Sequence, residues 1–133
     1  MLKIECDIST VSLLKEDTLL IDIQKDKDFT IGDFNQLKDA AFQLGNGKRF
    51  YNLIIVGSHT LPNHEARVAS TSVEGSIYKL ADAFVIHSIS QKILSNFYLN
   101  FHKPCVPTRF FNDVEKAKEW LAEIEINALQ TNH

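Results

Sequence analysis

Hydroxyl and imidazole side chains are concentrated in one short stretch, VGSHTLPNHEARVAS, residues 56–70. Ser58 and Thr60 carry hydroxyls, and His59 and His64 carry imidazoles that can transfer protons or bind metal ions. An apolar run precedes the stretch and a helical pattern follows it, which is the setting in which α/β domains place ligand sites. The sequence therefore makes this loop a candidate site.

Bond-breaking chemistry would require patterns that these residues do not form. Ser58 in GSHT does not fit the G-x-S-x-G turn of a serine hydrolase, and HEARV ends in Val68 where a zinc protease has its second histidine. Asp22 is expected to face solvent from a strand and Asp82 to lie in a turn, and neither has a second carboxylate placed for acid–base catalysis. The sequence thus predicts no enzyme activity, no catalytic residue, no metal and no cofactor.

A second set of polar residues follows the apolar run ADAFVI, where the chain continues with His87 and Ser88. If both apolar runs are parallel strands, their carboxyl ends share one edge of the sheet, where two helix N-termini and Arg67 favour an anionic group. Every α/β domain has such an edge, so helix caps that contact only water are the alternative. The residues predicted for a ligand- or partner-binding surface are Ser58, His59, Thr60, His64, Arg67, His87 and Ser88.

Hydrophobic spacing predicts the elements that position this surface. Strands at residues 9–14 and 18–24 form a hairpin, and the continuous β-branched run at 50–57 is a central strand. Two prolines before residues 108–111 make that segment an edge strand. Four helices begin at capping residues, and the second of them continues to Leu80. These caps are Thr30, Asn63, Ser90 and Asn112.

The predicted fold is one α/β domain over residues 1–133, with the element order ββαβαβαβα. Its sheet is mixed, mostly parallel and five-stranded, and four helices pack against it. The composition, 44% hydrophobic and 23% charged, is typical of a globular chain.

The charge of the chain bears on whether its partner is a nucleic acid. The net charge is −3 and no basic stripe is present, so a nucleic acid partner is not expected.

The apolar runs are far shorter than the roughly 20 residues that cross a bilayer. Cys6 and Cys105 form no CxxC pair, and no export signal is visible, so the chain is expected in the reducing cytoplasm.

The closing sequence KPCVPTRFFNDVEKAKEWL, with ADAFVIHSISQKILSNF before it and the element order above, resembles the SpoIIAA-like and STAS-like family of small bacterial α/β domains. The resemblance implies a regulatory protein in which a partner kinase phosphorylates a serine or threonine after the central strand. Ser58 and Thr60 are the nearest hydroxyls, although the family's Asp-Ser-Ser-Gly or Asp-Ser-Thr-Gly element is absent here. Related domains are grouped with lipid-carrier proteins, which implies an apolar ligand.

Two functions stay open at this point. The first is a non-enzymatic regulatory or protein-interaction domain that uses the predicted surface. The second is a binder of a small apolar or amphipathic, lipid-like ligand in a cavity between the sheet and the aromatic third helix. Phe97, Tyr98 and Phe101 of that helix are expected in the core, with a ligand pocket or a homodimer face as alternatives.

Overall fold

A computed structural model describes residues 2–131 of the chain. The strands are β1 Lys3–Glu5, β2 Ser9–Lys15, β3 Thr18–Ile23, β4 Asp28–Phe29, β5 Phe50–Val56, β6 Leu61–Pro62, β7 Lys79–Val85 and β8 Thr108–Phe111. The helices are α1 Ile31–Gly45, α2 His64–Thr71, α3 Ile89–Phe101 and α4 Val114–Thr131, with a 3₁₀ turn at Glu74–Ser76. None of the described helices is long and apolar enough to span a bilayer.

The main sheet has six strands in the order β1-β2-β3-β5-β7-β8. The first three strands pair antiparallel, and β3, β5, β7 and β8 pair parallel. This confirms the predicted hairpin start and the mixed, mostly parallel α/β fold. The sixth strand is β1, which has only three residues and is therefore too short for an alternating hydrophobic pattern.

The central position predicted for β5 is confirmed. Six of its seven residues are buried, because helices cover both faces of the sheet. On one face Ile54 and Val56 belong to a core that includes Phe34 of α1 and Ala66 of α2. On the other face Leu53 packs in a second core that α4 completes.

Capping residues set where the helices begin. Thr30 and Asn63 cap α1 and α2 as predicted, each accepting a hydrogen bond from a backbone N–H of the first turn. The prediction for Ser90 is wrong, since Ser88 caps α3. The prediction for Asn112 is one residue early, because Asp113 accepts the N–H groups at the start of α4.

Helix α2 ends well before the predicted Leu80. Ser72 stops it by donating its hydroxyl to the carbonyl of Ala69, at 2.8 Å, and accepting the N–H of Gly75, at 2.9 Å. These side-chain bonds replace the helical pattern with the 3₁₀ turn, as serine hydroxyls tend to do. Leu80 consequently lies in β7.

Candidate functional site

The structure brings the loops after β5 and β7 together, and Gln91 of α3 joins them. Its side-chain N–H₂ donates to the carbonyls of Gly57, at 2.7 Å, and Thr60, at 2.9 Å. Its side-chain oxygen accepts the N–H groups of His87, at 2.8 Å, and Ser88, at 3.2 Å. Gln91 is buried, so its side chain links the two loops from inside the fold.

The side chains of the first loop differ greatly in access. Thr60 is 1% exposed, and its hydroxyl donates to the carbonyl of Gln24 and accepts the N–H of Lys27. Its hydroxyl therefore has a structural role in this conformation and is inaccessible to a kinase. Ser58 is half-buried, and its phosphorylation stays a prediction.

His59 is the most exposed member of the same loop. It has a φ of 67°, in the left-handed region, and its Nδ1 lies 3.4 Å from a carboxylate oxygen of Asp26. Both side chains are well exposed, so this contact adds little to stability.

His64 and Arg67 do not lie with His87 and Ser88. The ring of His64 is 6.1 Å from that of His102, which ends α3, whereas Ser88 begins it. At 1.5 Å per residue the two ends of α3 are roughly 20 Å apart. The seven residues predicted as one surface are therefore divided between two places.

His102 follows the last residue of α3, where the negative end of the helix dipole would stabilise a protonated imidazole. Burial of the imidazole, together with the nearby Arg67 and His64, instead lowers its pKa. Arg67 donates from its Nη1 to the carbonyl of Pro62 at 2.7 Å, which fixes the guanidinium beside this histidine. The neutral form of His102 is therefore favoured near neutral pH.

A cavity of about 140 Å³ lies between the sheet and helices α1, α2 and α3. The space is partly open to solvent at the surface of the protein. Its walls are mostly apolar, and both the sheet and the three helices contribute residues to them. The apolar wall residues include Ile54, Phe84, Phe34, Ala66, Leu94 and Phe110.

A charged pair is buried in the wall of this cavity. Asp82 is 1% exposed and lies within β7. The prediction that it occupies a turn is therefore wrong. One of its carboxylate oxygens is 2.9 Å from the ammonium of Lys79, and the other accepts a hydrogen bond from Asn52 at 2.8 Å. Asn52 is the residue paired with Asp82 on the neighbouring strand β5. Sheet register, which the sequence does not reveal, brings these groups together.

Two hydroxyls extend the polar cluster. Lys79 also donates to the carbonyl of Ser70, at 2.9 Å, and to its hydroxyl, at 3.2 Å. The hydroxyl of Tyr98 donates to the same Ser70 hydroxyl at 3.0 Å. Burial raises the pKa of Tyr98, so its hydroxyl keeps its proton. The cavity thus combines apolar walls with one hydrogen-bonded polar cluster.

The outer side of α3 carries an apolar row that we call the α3 stripe, defined as Ile89, Ile93, Phe97 and Phe101. These four side chains are exposed, from 45% for Phe97 to 80% for Ile89. The expected core position of Phe97 and Phe101 is therefore wrong, whereas Tyr98 is buried as expected. The side of α3 that faces the sheet bears Gln91, Ser95 and Tyr98, which are buried.

No group of three or more histidine, cysteine, aspartate or glutamate side chains in residues 2–131 is arranged to hold a metal ion. The buried polar cluster contains a single carboxylate, and its oxygens already contact Lys79 and Asn52.

The fold defines a SpoIIAA-like α/β domain, as the sequence predicted. The structure is similar to that of an uncharacterized protein from the DUF3478 family with a SpoIIAA-like fold, from Shewanella loihica PV-4. The TM-score is 0.57 at 18% sequence identity, and the alignment covers 85% of this chain and 91% of that one. No curated protein matches the chain. The family described as Domain of unknown function (DUF7793) matches residues 12–125, and the chain belongs to this family.

Proposed function

We propose that this protein is a non-enzymatic binding domain that holds a small amphipathic ligand in the cavity beneath α1, α2 and α3. The cavity itself carries the proposal. A compact apolar group that fills the space removes apolar wall surface from water, which contributes roughly 25 cal/mol for each Å² covered. The mostly apolar lining therefore favours a bound ligand over water in this space.

The cavity volume limits the size of the ligand. A cavity of about 150 Å³ lined by aliphatic and aromatic side chains is large enough to bind benzene. At about 140 Å³ the present cavity accommodates a ring of that size or a short branched chain. A long acyl chain exceeds it, so the lipid-like ligand considered from the sequence is narrowed to a compact molecule.

Benzene is therefore the first probe for this function. We expect saturable shifts of the NMR methyl signals of Ile54 and Leu94, both of which line the cavity. Ala66→Leu places extra carbon atoms in the cavity and is expected to weaken benzene binding about ten-fold or more, since the probe and the new side chain compete for one space.

Ala69→Leu is the matched control, because Ala69 is on the same helix but outside the cavity lining. It is expected to keep benzene affinity within about two-fold of the unmodified protein. Thermal unfolding of both variants verifies that each is folded. Unchanged methyl signals in the unmodified protein at saturating benzene would contradict the proposed function.

A second candidate, a regulatory domain that binds a protein partner, is favoured by the α3 stripe. Residues spaced four apart form the ridge with which one helix packs against another. The stripe runs the whole length of the 13-residue helix, and its first and last Cα atoms are roughly 18 Å apart along the axis, enough for several turns of a partner helix. Residues 83–112 contain no aspartate or glutamate, while Lys92 and Lys103 flank the stripe. A partner helix with acidic residues beside its apolar face is the complementary surface.

Charge introduced into the stripe tests this candidate. Ile93→Lys with Phe101→Lys is expected to reduce retention of any specific partner in a pull-down from source-cell lysate about ten-fold, because ammonium groups oppose burial in an apolar interface. Ile126→Lys on α4, also at an exposed apolar position, is the control and should retain the partner. Equal retention by the stripe variant and the control would contradict this role.

A further inference from the structure

The cavity carries information about the ligand beyond its size, because the charged and hydroxyl groups of Lys79, Asp82, Ser70 and Tyr98 form one hydrogen-bonded cluster in its wall. We propose that the cavity selects an uncharged ligand with a single hydroxyl, a small phenol or alcohol, whose hydroxyl bonds to Ser70 and Tyr98. This inference rests on the proposed function, since it specifies which amphipathic molecule the cavity holds.

The buried charges are already compensated by each other. The ammonium of Lys79 has three N–H groups and contacts three acceptors, namely a carboxylate oxygen of Asp82 and the carbonyl and hydroxyl oxygens of Ser70. The other carboxylate oxygen of Asp82 accepts from Asn52. The positive charge of Lys79 and the negative charge of Asp82 therefore cancel, and the cluster has no net charge.

A charged ligand would disturb this compensation. An anionic group beside the cluster would meet the carboxylate of Asp82 or would have to displace it from Lys79. A cationic group would meet Lys79 in the same way. Either arrangement leaves a charge without its partner in an apolar space, which is the most costly situation for a buried group. The cluster thus disfavours both signs of charge.

The hydroxyls of the cluster retain capacity for a neutral group. The Ser70 oxygen accepts from Tyr98 and from Lys79, so the Ser70 proton can be donated to a ligand oxygen. The Tyr98 oxygen donates its proton to Ser70 and keeps lone pairs that can accept one. A ligand hydroxyl, which both accepts and donates, satisfies these two partners at once. Both Ser70 and Tyr98 line the cavity.

Lys38 of α1 also lines the cavity and could in principle attract an anion. Its side chain is half-buried, and its long flexible stem allows the ammonium to reach water at the surface. A solvated ammonium contributes little to binding of a buried anion. The experiment below includes an anionic probe so that this contribution is measured directly.

Three probes of the same ring size separate the possibilities, namely benzene, phenol and benzoate. Titrations followed by the cavity methyl signals should give a dissociation constant for phenol about five-fold below that of benzene, the gain from one net hydrogen bond. Benzoate should bind about ten-fold or more weakly than phenol at pH 7, where it is ionised.

Two variants assign the hydroxyl contacts. Tyr98→Phe and Ser70→Ala should each reduce the roughly five-fold preference for phenol over benzene toward one, and thermal unfolding verifies that each variant is folded. Lys38→Met should leave the ratio of benzoate affinity to phenol affinity within about two-fold of that of the unmodified protein.

The outcomes distinguish this inference from the proposed function. Equal affinities for benzene and phenol, or tighter binding of benzoate than of phenol, would overturn the hydroxyl-selective cavity while leaving a ligand-binding domain. Phenol preference that survives both Tyr98→Phe and Ser70→Ala would overturn the assignment of the two contacts. Failure of all three probes to bind would overturn the proposed function itself.

Discussion

Replacement of Asp82 with alanine is expected to lower the free energy of unfolding by about 3–5 kcal/mol, the cost of leaving one member of a buried ion pair alone. The ammonium of Lys79, with a side chain 12% exposed, would lose its carboxylate partner and the amide of Asn52 would lose its acceptor. Urea unfolding followed by circular dichroism measures the difference.

Two control variants test whether the loss of stability in Asp82→Ala comes from the unpaired Lys79. Asp22→Ala removes a carboxylate that is exposed on β3 and should change stability by about 0.5 kcal/mol or less. Lys79→Met combined with Asp82→Leu removes both charges and should recover most of the loss, because a whole buried pair is often replaced by apolar groups at little cost. A loss below about 1 kcal/mol in Asp82→Ala would show that water already reaches the pair.

Gly57→Ala is the second change for which we expect a large effect, a loss of about 3 kcal/mol or more. A Cβ atom at this position would lie 2.5 Å from the carbonyl carbon of Gln24 and would also overlap the backbone nitrogen of Lys25. These are backbone atoms, which cannot rotate away as the end of a side chain can. The backbone at the end of β5 must therefore shift. The midpoint of urea unfolding reports the loss.

Gly32→Ala provides the control within the same fold. A Cβ atom at Gly32, in the first turn of α1, has its nearest neighbour at 3.6 Å, an ordinary van der Waals contact with the Thr30 hydroxyl. Alanine favours helix more than glycine does, so this change should leave stability unchanged or raise it by up to about 1 kcal/mol. Similar losses at both glycines would contradict the steric explanation for Gly57.

The overall architecture was predictable because its signals are local. The unbroken apolar run of β5 indicated a strand buried on both faces, and Thr30 and Asn63 marked helix starts through side-chain bonds that span only three residues. The same local rule could have located the start of α3, since Ser88 and Gln91 have the spacing of a capping box.

The candidate site was less predictable because it depends on contacts between distant residues. Asp82 has ordinary turn chemistry when considered alone, and its strand position follows from pairing with Asn52, thirty residues earlier. The cavity depends on the distances between three helices and the sheet. Hydrophobic spacing in the sequence predicts which helix face is buried but does not predict those distances. The prediction that Phe97 and Phe101 are in the core was wrong for a related reason, because the buried side of α3 bears Gln91, whose partners Gly57 and Thr60 are more than thirty residues away in sequence.

The pairing of the sheet also indicates the order in which the chain can assemble. Val11 meets Ile21 through a tight turn, whereas Ile21 meets Ile54, and Ile54 meets Phe84, only after a whole helix has been inserted between them. Hairpins form within microseconds, and pairings of high sequence separation are slow because chain entropy is lost before contacts form. We therefore expect the hairpin to form first and the pairing of the parallel strands against it to limit the folding rate.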